Sequence, residues 1–377
     1  MKKYLLALST FSGTIIGVGL FGLPFVTAKI GFIPMIFYFV IMTLAMITIQ
    51  LLYGEICLRT SSLHRLPGYT EFYLGKKFKW LPIITNSIGL IGANLAYIII
   101  GGGFLADLLI PYFGGNELAY TMIFFASGAF IIFLGSKSIA RSELFSLLLF
   151  FGILTFLTVE SWPHIQLANL LTVDLNFKNL ILPYGVILFS LSGLSVIPET
   201  KEILENQTKW LKNLITVGLL IPTGTYLLFI FIVLGISGGQ TTPDGLDGLG
   251  LALGEKIIAI GYIFGIITTF TSYLTIGVTI KKILWFDLKF NHFHSWTLAV
   301  ITPLLLYLAG LKNFIAIVGF TGAVTLGIDV ITIAFIYLKA KTKGNRRPEY
   351  NLNIPKLAIY FLVAIFLIGV ILNIFPF

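Results

Sequence analysis

The feature that most constrains this chain is a series of long apolar blocks without charge. Met35 to Leu52 and Leu144 to Val159 contain no Asp, Glu, Lys or Arg. A run of roughly 18 or more apolar residues crosses the ~30 Å hydrocarbon core of a bilayer as a helix. The runs are continuous and do not alternate with polar residues, which excludes a transmembrane β-barrel. Only 11% of the residues are charged, against about 25% in soluble domains. The chain is therefore predicted to be an all-α polytopic membrane protein.

Eleven segments qualify as transmembrane helices. A single transmembrane domain, residues 1–377, is expected, because no composition shift marks a separate soluble domain. The predicted spans are 4–29, 32–57, 81–110, 119–136, 142–161, 180–200, 212–236, 255–280, 296–310, 314–338 and 356–375.

The orientation of these spans follows from the distribution of Lys and Arg, which concentrate on the cytoplasmic side of a membrane. A cytoplasmic N-terminus places 21 of the 25 basic residues inside and only four outside. This bias predicts a multi-pass protein of the cytoplasmic membrane whose C-terminus, ending in Pro376 and Phe377, faces outside. It also explains the formal charge of +9 without nucleic acid. The four outer cations are Lys29, Lys178, Lys256 and Lys312.

Several function classes are unsupported by the residues. Cys57 is the single cysteine, and the four histidines have no Cys or carboxylate cluster beside them, so neither a disulfide framework nor a metal site is expected. No Ser-His, His-Glu or Cys-His group shares one membrane depth, which argues against an enzyme. The chain has no P-loop for ATP. No cofactor is therefore expected.

Small residues interrupt the first and sixth spans at matching positions. Residues 12–24 read SGTIIGVGLFGLP, and residues 188–199 read LFSLSGLSVIPE. Each break begins about ten residues into its span and is followed by Pro24 or Pro198. Glycine-interrupted spans at matching positions of two halves are the best sequence pointer to a transporter site. Spans 1–5 (residues 1–161) and 6–10 (residues 180–340) are thus predicted to be inverted repeats, with 356–375 as an additional helix.

An unwound turn inside a membrane exposes NH and C=O groups that must face a cavity, a ligand or an ion. The half-helix N-terminus offers NH groups to a carboxylate, and the opposing half-helix end offers carbonyls to an ammonium. A zwitterionic amino acid matches both. The alternative is that Gly17 and Gly19 only permit close helix packing, as small-xxx-small patterns such as Gly13 to Gly17 often do. The second break in span 6 favours the binding interpretation.

At these residues the chain resembles the amino acid–polyamine–organocation superfamily, and within it the aromatic (tyrosine and tryptophan) permease group. Residues 13–24 (GTIIGVGLFGLP) are similar to the first-helix signature of the superfamily. Residues 96–103 (AYIIIGGG), 182–198, and 271–274 (TSYL) with 286–287 (FD) resemble the third, sixth and eighth helices of the permease group. The four patches occur in order over most of the chain. The resemblance implies a five-plus-five inverted repeat of the LeuT-like fold, with discontinuous helices 1 and 6, and alternating access.

The resemblance also implies substrate-binding residues. The amides of the first break would hold the substrate carboxylate, and carbonyls from both breaks would hold the ammonium. An aromatic ring would lie over the substrate, and span 3 would line the opposite wall. The expected carboxylate ligands are the amides of Gly17, Val18 and Gly19. The expected ammonium ligands are the carbonyls of Ile15, Ser190 and Ser192, with Gly193 beside them. The aromatic ring would be Phe189, and the residues of span 3 would be Asn94 and Tyr97.

The sequence is compatible with two coupling ions, Na⁺ and H⁺. Thr268, Thr271 and Ser272 share one helix face, and sodium-coupled members of this fold use such hydroxyls together with first-break carbonyls, here those of Gly13 and Ile16. The alternative for these hydroxyls is bonding back to their own helix. Protons are the rival ion, because an intramembrane acid is a functional suspect by default. Asp329 is the acid deepest within a predicted span.

The sequence therefore predicts a secondary transporter for amino acids, aromatic or other neutral ones, coupled to Na⁺ or H⁺. The alternative is an amino-acid-sensing receptor subunit on the same fold, such as a spore-germinant receptor, without net transport. The expected partners are the amino acid and the lipid bilayer. The identity of the amino acid and the oligomeric state are not fixed by the sequence.

Overall fold

The computed structural model describes residues 2–134, 139–174 and 176–375, without the side chains of residues 139–146, 251, 286 and 287. Within these ranges the chain is built from helices, and no strand occurs. Continuous apolar runs favour this outcome, since a helix satisfies its own backbone groups in lipid. Residues 135–136 at the end of the fourth predicted span, Lys137 among the predicted inner cations, and the C-terminal Pro376 and Phe377 lie outside the described residues.

The first half of the chain contains eight α-helices, two of which form one bent pair at the N-terminus. The helices are α1 (Lys2–Ile15), α2 (Gly19–Ile30), α3 (Phe32–Arg59), α4 (Leu66–Leu74), α5 (Trp80–Phe113), α6 (Glu117–Leu134), α7 (Ile139–Ser161) and α8 (Phe177–Ser190).

The second half contains eight more α-helices and a π-helical turn, Thr321–Leu326, between two of them. The helices are α9 (Ile197–Leu204), α10 (Leu211–Ser237), α11 (Asp247–Leu253), α12 (Glu255–Lys282), α13 (His292–Leu308), α14 (Phe314–Phe320), α15 (Gly327–Lys343) and α16 (Lys356–Ile374).

Eight helical stretches of the described chain are long and apolar enough to cross a membrane, or nine when α1 and α2 count as one broken span. The difference from eleven has two sources. The stretch Phe177–Gln240 has 64 residues and contains two predicted spans, and α13 has only 17 residues. The count of eleven and the inverted repeat therefore stay predictions.

Each half of the first broken helix packs on a half of the second. α1 packs on α9 and α10, whereas α2 packs on α8 and α10. Along the other side of the bundle, α5 packs against α12 and α6. The two broken helices are thus neighbours over their whole length, which places their breaks beside each other.

Glycine allows α8 to cross the π turn with the two backbones in contact. A Cβ placed at Gly185 would overlap the carbonyl of Gly319, and one placed at Gly322 would overlap the carbonyl of Gly185. A carbonyl cannot rotate away as a side chain can, so only glycine fits these positions. The contact fixes the first half of span 6 against span 10, directly before the span-6 break.

The basic segment between α15 and α16 is attached to the end of α3. Tyr350 packs on Gly54, where a Cβ would overlap its hydroxyl. The Leu352 amide donates to the buried Glu55 carboxylate over 2.6 Å, and Arg59 pairs with the same carboxylate at 2.7 Å. The buried carboxylate of Glu55 therefore has partners that attach this segment to the end of α3.

We expect Gly185→Ala to lower the free energy of unfolding by roughly 1–3 kcal/mol, the usual cost of overpacking a fixed contact. The matched control is Gly224→Ala in α10, where no atom lies within 4 Å of the added methyl group and alanine should be neutral or stabilising by up to about 1 kcal/mol. Thermal unfolding of the detergent-solubilised variants is the measurement. Equal melting temperatures for both variants would contradict the crossing described above.

Candidate functional site

The first break separates α1 from α2, which meet at an angle of 50°. The Ile16 amide still donates to Ser12 (3.0 Å), and helical bonding resumes when the Leu20 amide donates to the Gly17 carbonyl (3.1 Å). Within the described backbone, the amides of Gly17 and Val18 donate to no other backbone carbonyl. These NH groups, with that of Gly19 at the start of α2, form the N-terminus of a half-helix inside the bundle.

The second break follows α8 at Ser190. Residues 191–193 leave the α-helix, and a 3₁₀ turn, Leu194–Val196, leads into α9. The carbonyl of Leu191 is not left open, because the side chain of Gln50 on α3 donates to it over 2.9 Å. Gln50 is fully buried. A polar residue in the apolar span 2 thus serves the break in span 6, a role that the sequence analysis missed.

The two breaks touch each other through glycines. A Cβ placed at Gly19 would overlap the Ser190 hydroxyl, and its distance to the Ser190 Cα would be only 3.1 Å. On the other side of the break, a Cβ placed at Gly193 would lie 2.9 Å from Phe11 and from Ile15. The small residues therefore both permit unwinding and bring the two unwound turns into contact.

Tyr226 on α10 bridges the two breaks. Its hydroxyl is 2.6 Å from the Ile15 carbonyl and 3.0 Å from the Ser190 carbonyl, and the side chain is fully buried. The backbone of Gly17 faces the same hydroxyl. The sequence analysis did not identify Tyr226, because no local pattern distinguishes it from the other 15 tyrosines.

Tyr97 on α5 reaches the first break from the opposite side. Its hydroxyl lies beside the backbone of Val18 and the side chain of Ser272, and would be 2.7 Å from a Cβ at Gly17. The predicted proximity of Tyr97 to the break is therefore present in the structure. A glycine at position 17 leaves the space that this hydroxyl occupies.

A cavity of about 80 Å³ lies against the break. It is on the side of the break towards the start of α1, here called the N-side, because Leu6 and Thr10 of α1 line it. The cavity collects every residue predicted for an ion except Asp329, together with Tyr97. These residues are Gly13, Ile16, Tyr97, Thr268, Thr271 and Ser272.

The threonine hydroxyls of this cavity also bond to their own helix. Thr268 donates to the Phe264 carbonyl (2.8 Å), and Thr271 donates to the Ile267 carbonyl (3.0 Å). Donation uses the hydroxyl hydrogen and leaves the oxygen lone pairs for another partner. Hydrogen bonding of these hydroxyls to their own helix is therefore compatible with ion binding by their oxygens.

Asp329 and Asn94 are outside the lining of the cavity and make other contacts. Asp329 is buried on α15 and accepts a hydrogen bond from Thr85 over 2.5 Å. Thr85 precedes Tyr97 by 12 residues on α5, about 18 Å along a helix. Asn94 turns towards Gly277 on α12, and within the described structure its carboxamide has no hydrogen-bond partner. The structure therefore does not group Asp329 with the hydroxyls of the cavity.

Phe189, Ser192 and Gly193 lie along the second break. Phe189 is half-buried at the end of α8, and its backbone contacts the π turn at Gly322. Its carbonyl accepts a hydrogen bond from the Ser192 amide over 3.3 Å. These positions belong to the same pair of turns as Ile15 and Ser190, but they do not line the N-side cavity.

Phenylalanines close the bundle on the far side of the break. Phe21 of α2 packs edge-on against Phe104, Phe264 and Phe229, with ring centroids 5.0, 5.9 and 6.1 Å apart. All four side chains are at most 1% exposed. They form an apolar layer beside the loop that carries α11, since a Cβ at Gly245 of this loop would be 2.6 Å from the Phe21 carbonyl. The site thus has a cavity that contains hydroxyls on its N-side and a layer of packed phenylalanines on its far side.

The loop outside this layer carries a close pair of carboxylates. Asp247 accepts a hydrogen bond from Tyr262 over 2.8 Å. Burial and the neighbouring Asp244 raise the pKa of Asp247 to about 6. The Asp247 carboxyl therefore binds a proton more readily than an exposed aspartate does.

Three comparisons with known proteins bear on this architecture. A sequence profile of the tryptophan/tyrosine permease family matches residues 1–376. "Tyrosine-specific transport system 1" of Haemophilus influenzae is 26% identical, covering 97% of this chain and 94% of its own. "Glutamine transporter 2" of Aliivibrio fischeri is 24% identical over 91% and 90%. The crystal structure of MhsT in complex with L-phenylalanine superposes with a TM-score of 0.66 at 18% identity, over 99% and 97% of the two chains. The last comparison shows a common LeuT-like fold.

We expect Gly17→Ala to lower the stability of the protein by roughly 1–3 kcal/mol, because the new methyl group meets the Tyr97 hydroxyl. Adding Tyr97→Phe removes the oxygen in the way and leaves the next atom 3.8 Å distant. The double variant should therefore regain most of the loss in thermal unfolding. Gly13→Ala is the control, since its nearest neighbour is 3.9 Å away. An additive double variant would refute the contact.

Proposed function

Because the chain belongs to the tryptophan/tyrosine permease family, we propose that it carries an amino acid across the cytoplasmic membrane by alternating access. It is a multi-pass membrane protein of a transporter family and not an enzyme. The two relatives above are named for transport of tyrosine and of glutamine. An amino acid is what both substrates have in common. The substrate side chain is proposed to be aromatic or another neutral one.

The observation that carries the proposal is the contact between two unwound turns in the bundle interior. One turn presents the amides of Gly17, Val18 and Gly19 at the start of a half-helix, where a carboxylate is favoured. The carbonyls of Ile15, Ser190 and Ser192 would hold the ammonium. The carboxylate and the ammonium of an amino acid lie at a fixed distance from each other. The two turns are also held in contact, so both groups could be bound at the same time. Phe189, Tyr97 and Gly193 would then line the substrate.

The proposal includes the finer architecture expected from the sequence. Spans 1–5 and 6–10 would form the two inverted repeats, with α16 as the eleventh span and a cytoplasmic N-terminus. The fold shared with MhsT and the neighbouring breaks in α1–α2 and α8–α9 support this arrangement. With the N-side towards the cytoplasm, the cavity with the hydroxyls would be the inner route and the phenylalanine layer would close the outer route.

Sodium is the proposed coupling ion. Thr268, Thr271 and Ser272 share one cavity with Gly13 and Ile16 of the first break, and a hard cation prefers several oxygen ligands. A proton on Asp329 is the alternative, supported by the burial of this carboxyl next to Thr85. The grouping of the oxygens around the break favours sodium, since Asp329 lies outside the cavity.

Counterflow in proteoliposomes tests the transport proposal. Vesicles loaded with one unlabelled amino acid should accumulate the labelled form, tested in turn for tyrosine, tryptophan, phenylalanine and glutamine. Gly17→Leu, which fills the first break, should lose both binding and flux. Binding without flux in the unmodified protein would support the receptor alternative. Neither binding nor flux for any of the 20 standard amino acids would refute the transporter.

We expect Thr271→Ala combined with Ser272→Ala to raise the Na⁺ concentration for half-maximal uptake about tenfold or more, since two oxygen ligands are lost. Thr279→Ala is the matched control. Its hydroxyl also bonds to its own helix, 2.8 Å from the Thr275 carbonyl, but it lies outside the cavity. An unchanged sodium curve in the double variant would exclude this site.

Asp329→Asn distinguishes the rival ion. With sodium coupling, this variant should keep the sodium dependence of uptake. If instead it abolished uptake driven by a pH gradient while counterflow persisted, the proton would be the coupling ion and the sodium assignment would be wrong.

A further inference from the structure

The Tyr226 hydroxyl joins two broken helix ends that are far apart in sequence. Its distances to the carbonyls of Ile15 and Ser190 are 2.6 and 3.0 Å. A buried tyrosine hydroxyl usually finds one partner, and here a single hydrogen is shared between two. Both acceptors are the last residues of their half-helices, α1 and α8. Tyr226 therefore contacts the two places where spans 1 and 6 stop being helical.

The two carbonyls bonded by Tyr226 are also those proposed to bind the substrate ammonium. An ammonium brings three N–H donors, whereas the tyrosine brings one O–H donor. Without substrate, the carbonyls at the broken ends need another donor within the protein, because a backbone polar group inside the membrane must have a partner. The Tyr226 hydroxyl supplies it from α10.

The amides of the first break have matching partners. The Tyr226 oxygen faces the backbone of Gly17, and the Tyr97 oxygen lies beside the backbone of Val18. A hydroxyl accepts and donates at the same time. The two tyrosines thus present to the unwound turn both kinds of polar partner that a zwitterion would present.

We infer that Tyr226 is a positioning residue that takes the place of the substrate ammonium in the empty protein and keeps the two breaks joined when no amino acid is bound. This inference rests on the proposed transport function. A carrier that performs net transport must return empty, whereas exchange of one amino acid for another never requires the empty form to reorient. Tyr226 therefore serves the return of the empty carrier.

The test compares Tyr226→Phe with Tyr273→Phe in proteoliposomes. Both tyrosines are fully buried, and within the described structure the Tyr273 hydroxyl has no hydrogen-bond partner. The control thus removes the same oxygen without removing a hydrogen bond. Net uptake of L-[³H]tyrosine into empty vesicles and exchange against internal L-tyrosine are measured for each protein.

Tyr226→Phe should lower net uptake about tenfold, the factor that corresponds to one ordinary hydrogen bond. Exchange should change by less than about twofold, because the ammonium supplies the donor during exchange. Tyr273→Phe should resemble the unmodified protein in both modes. Equal losses of net uptake and exchange, or no loss in either, would overturn the inference.

Hydrogen–deuterium exchange on the substrate-free protein in detergent decides the point independently of transport. Amides of residues 16–20 and 191–196 should exchange about tenfold faster in Tyr226→Phe, with unchanged rates in α5 and α12. Unchanged protection at the breaks would overturn the inference even if transport were altered. An unmodified protein that carries no amino acid would refute the proposed function, and the deuterium result would still decide whether Tyr226 holds the breaks together.

Discussion

The structure depends on one constraint: a backbone polar group inside the membrane must have a partner within the protein. Hydrogen bonds within the helices meet this requirement along most of the chain. At the two breaks, a few backbone groups lack these helical partners. The partners come from helices remote in sequence. Gln50 on α3 serves the Leu191 carbonyl, and Tyr226 on α10 serves Ile15 and Ser190. An unwound turn is thus tolerated here only because several other helices are in place.

Glycine has two separate uses in this arrangement. At Gly17 the missing side chain leaves room for the Tyr97 hydroxyl. At Gly19 and Gly185 it permits contact with another helix, Ser190 in the first case and the Gly319 backbone in the second. Packing and binding were competing interpretations of the first-span glycines. The structure shows close packing at these glycines, and such packing is compatible with binding, because one ligand could contact both turns only where they lie together.

The two sides of the first break differ in what lines them. Hydroxyls and the open ends of α1 face a small cavity on the N-side, whereas tightly packed phenylalanines cover the far side. A charged group is costly to bury among the phenylalanines, whereas the hydroxyls on the N-side could give it partners. This difference is expected of a carrier that is closed to one side. Alternating access would require the far side to open while the N-side closes.

Composition and local pattern determined the helical membrane architecture and the position of both breaks. Each of these properties depends on residues that are close together in the sequence. The spans follow from the length of the apolar runs, and the interruptions at 16–18 and 191–193 follow from Gly and Ser near the middle of a span. The family resemblance also identified Tyr97 and the hydroxyls of α12 that share the cavity with Gly13 and Ile16. The tertiary structure decided what no local pattern contains. Tyr226 and Gln50 lie in ordinary apolar spans, and only helix packing brings them to the breaks. Asp329 has the sequence features of a coupling acid, yet packing places it beside Thr85, away from the cavity. Partners across a bundle are set by which faces meet, and the sequence of one helix does not specify the face of another.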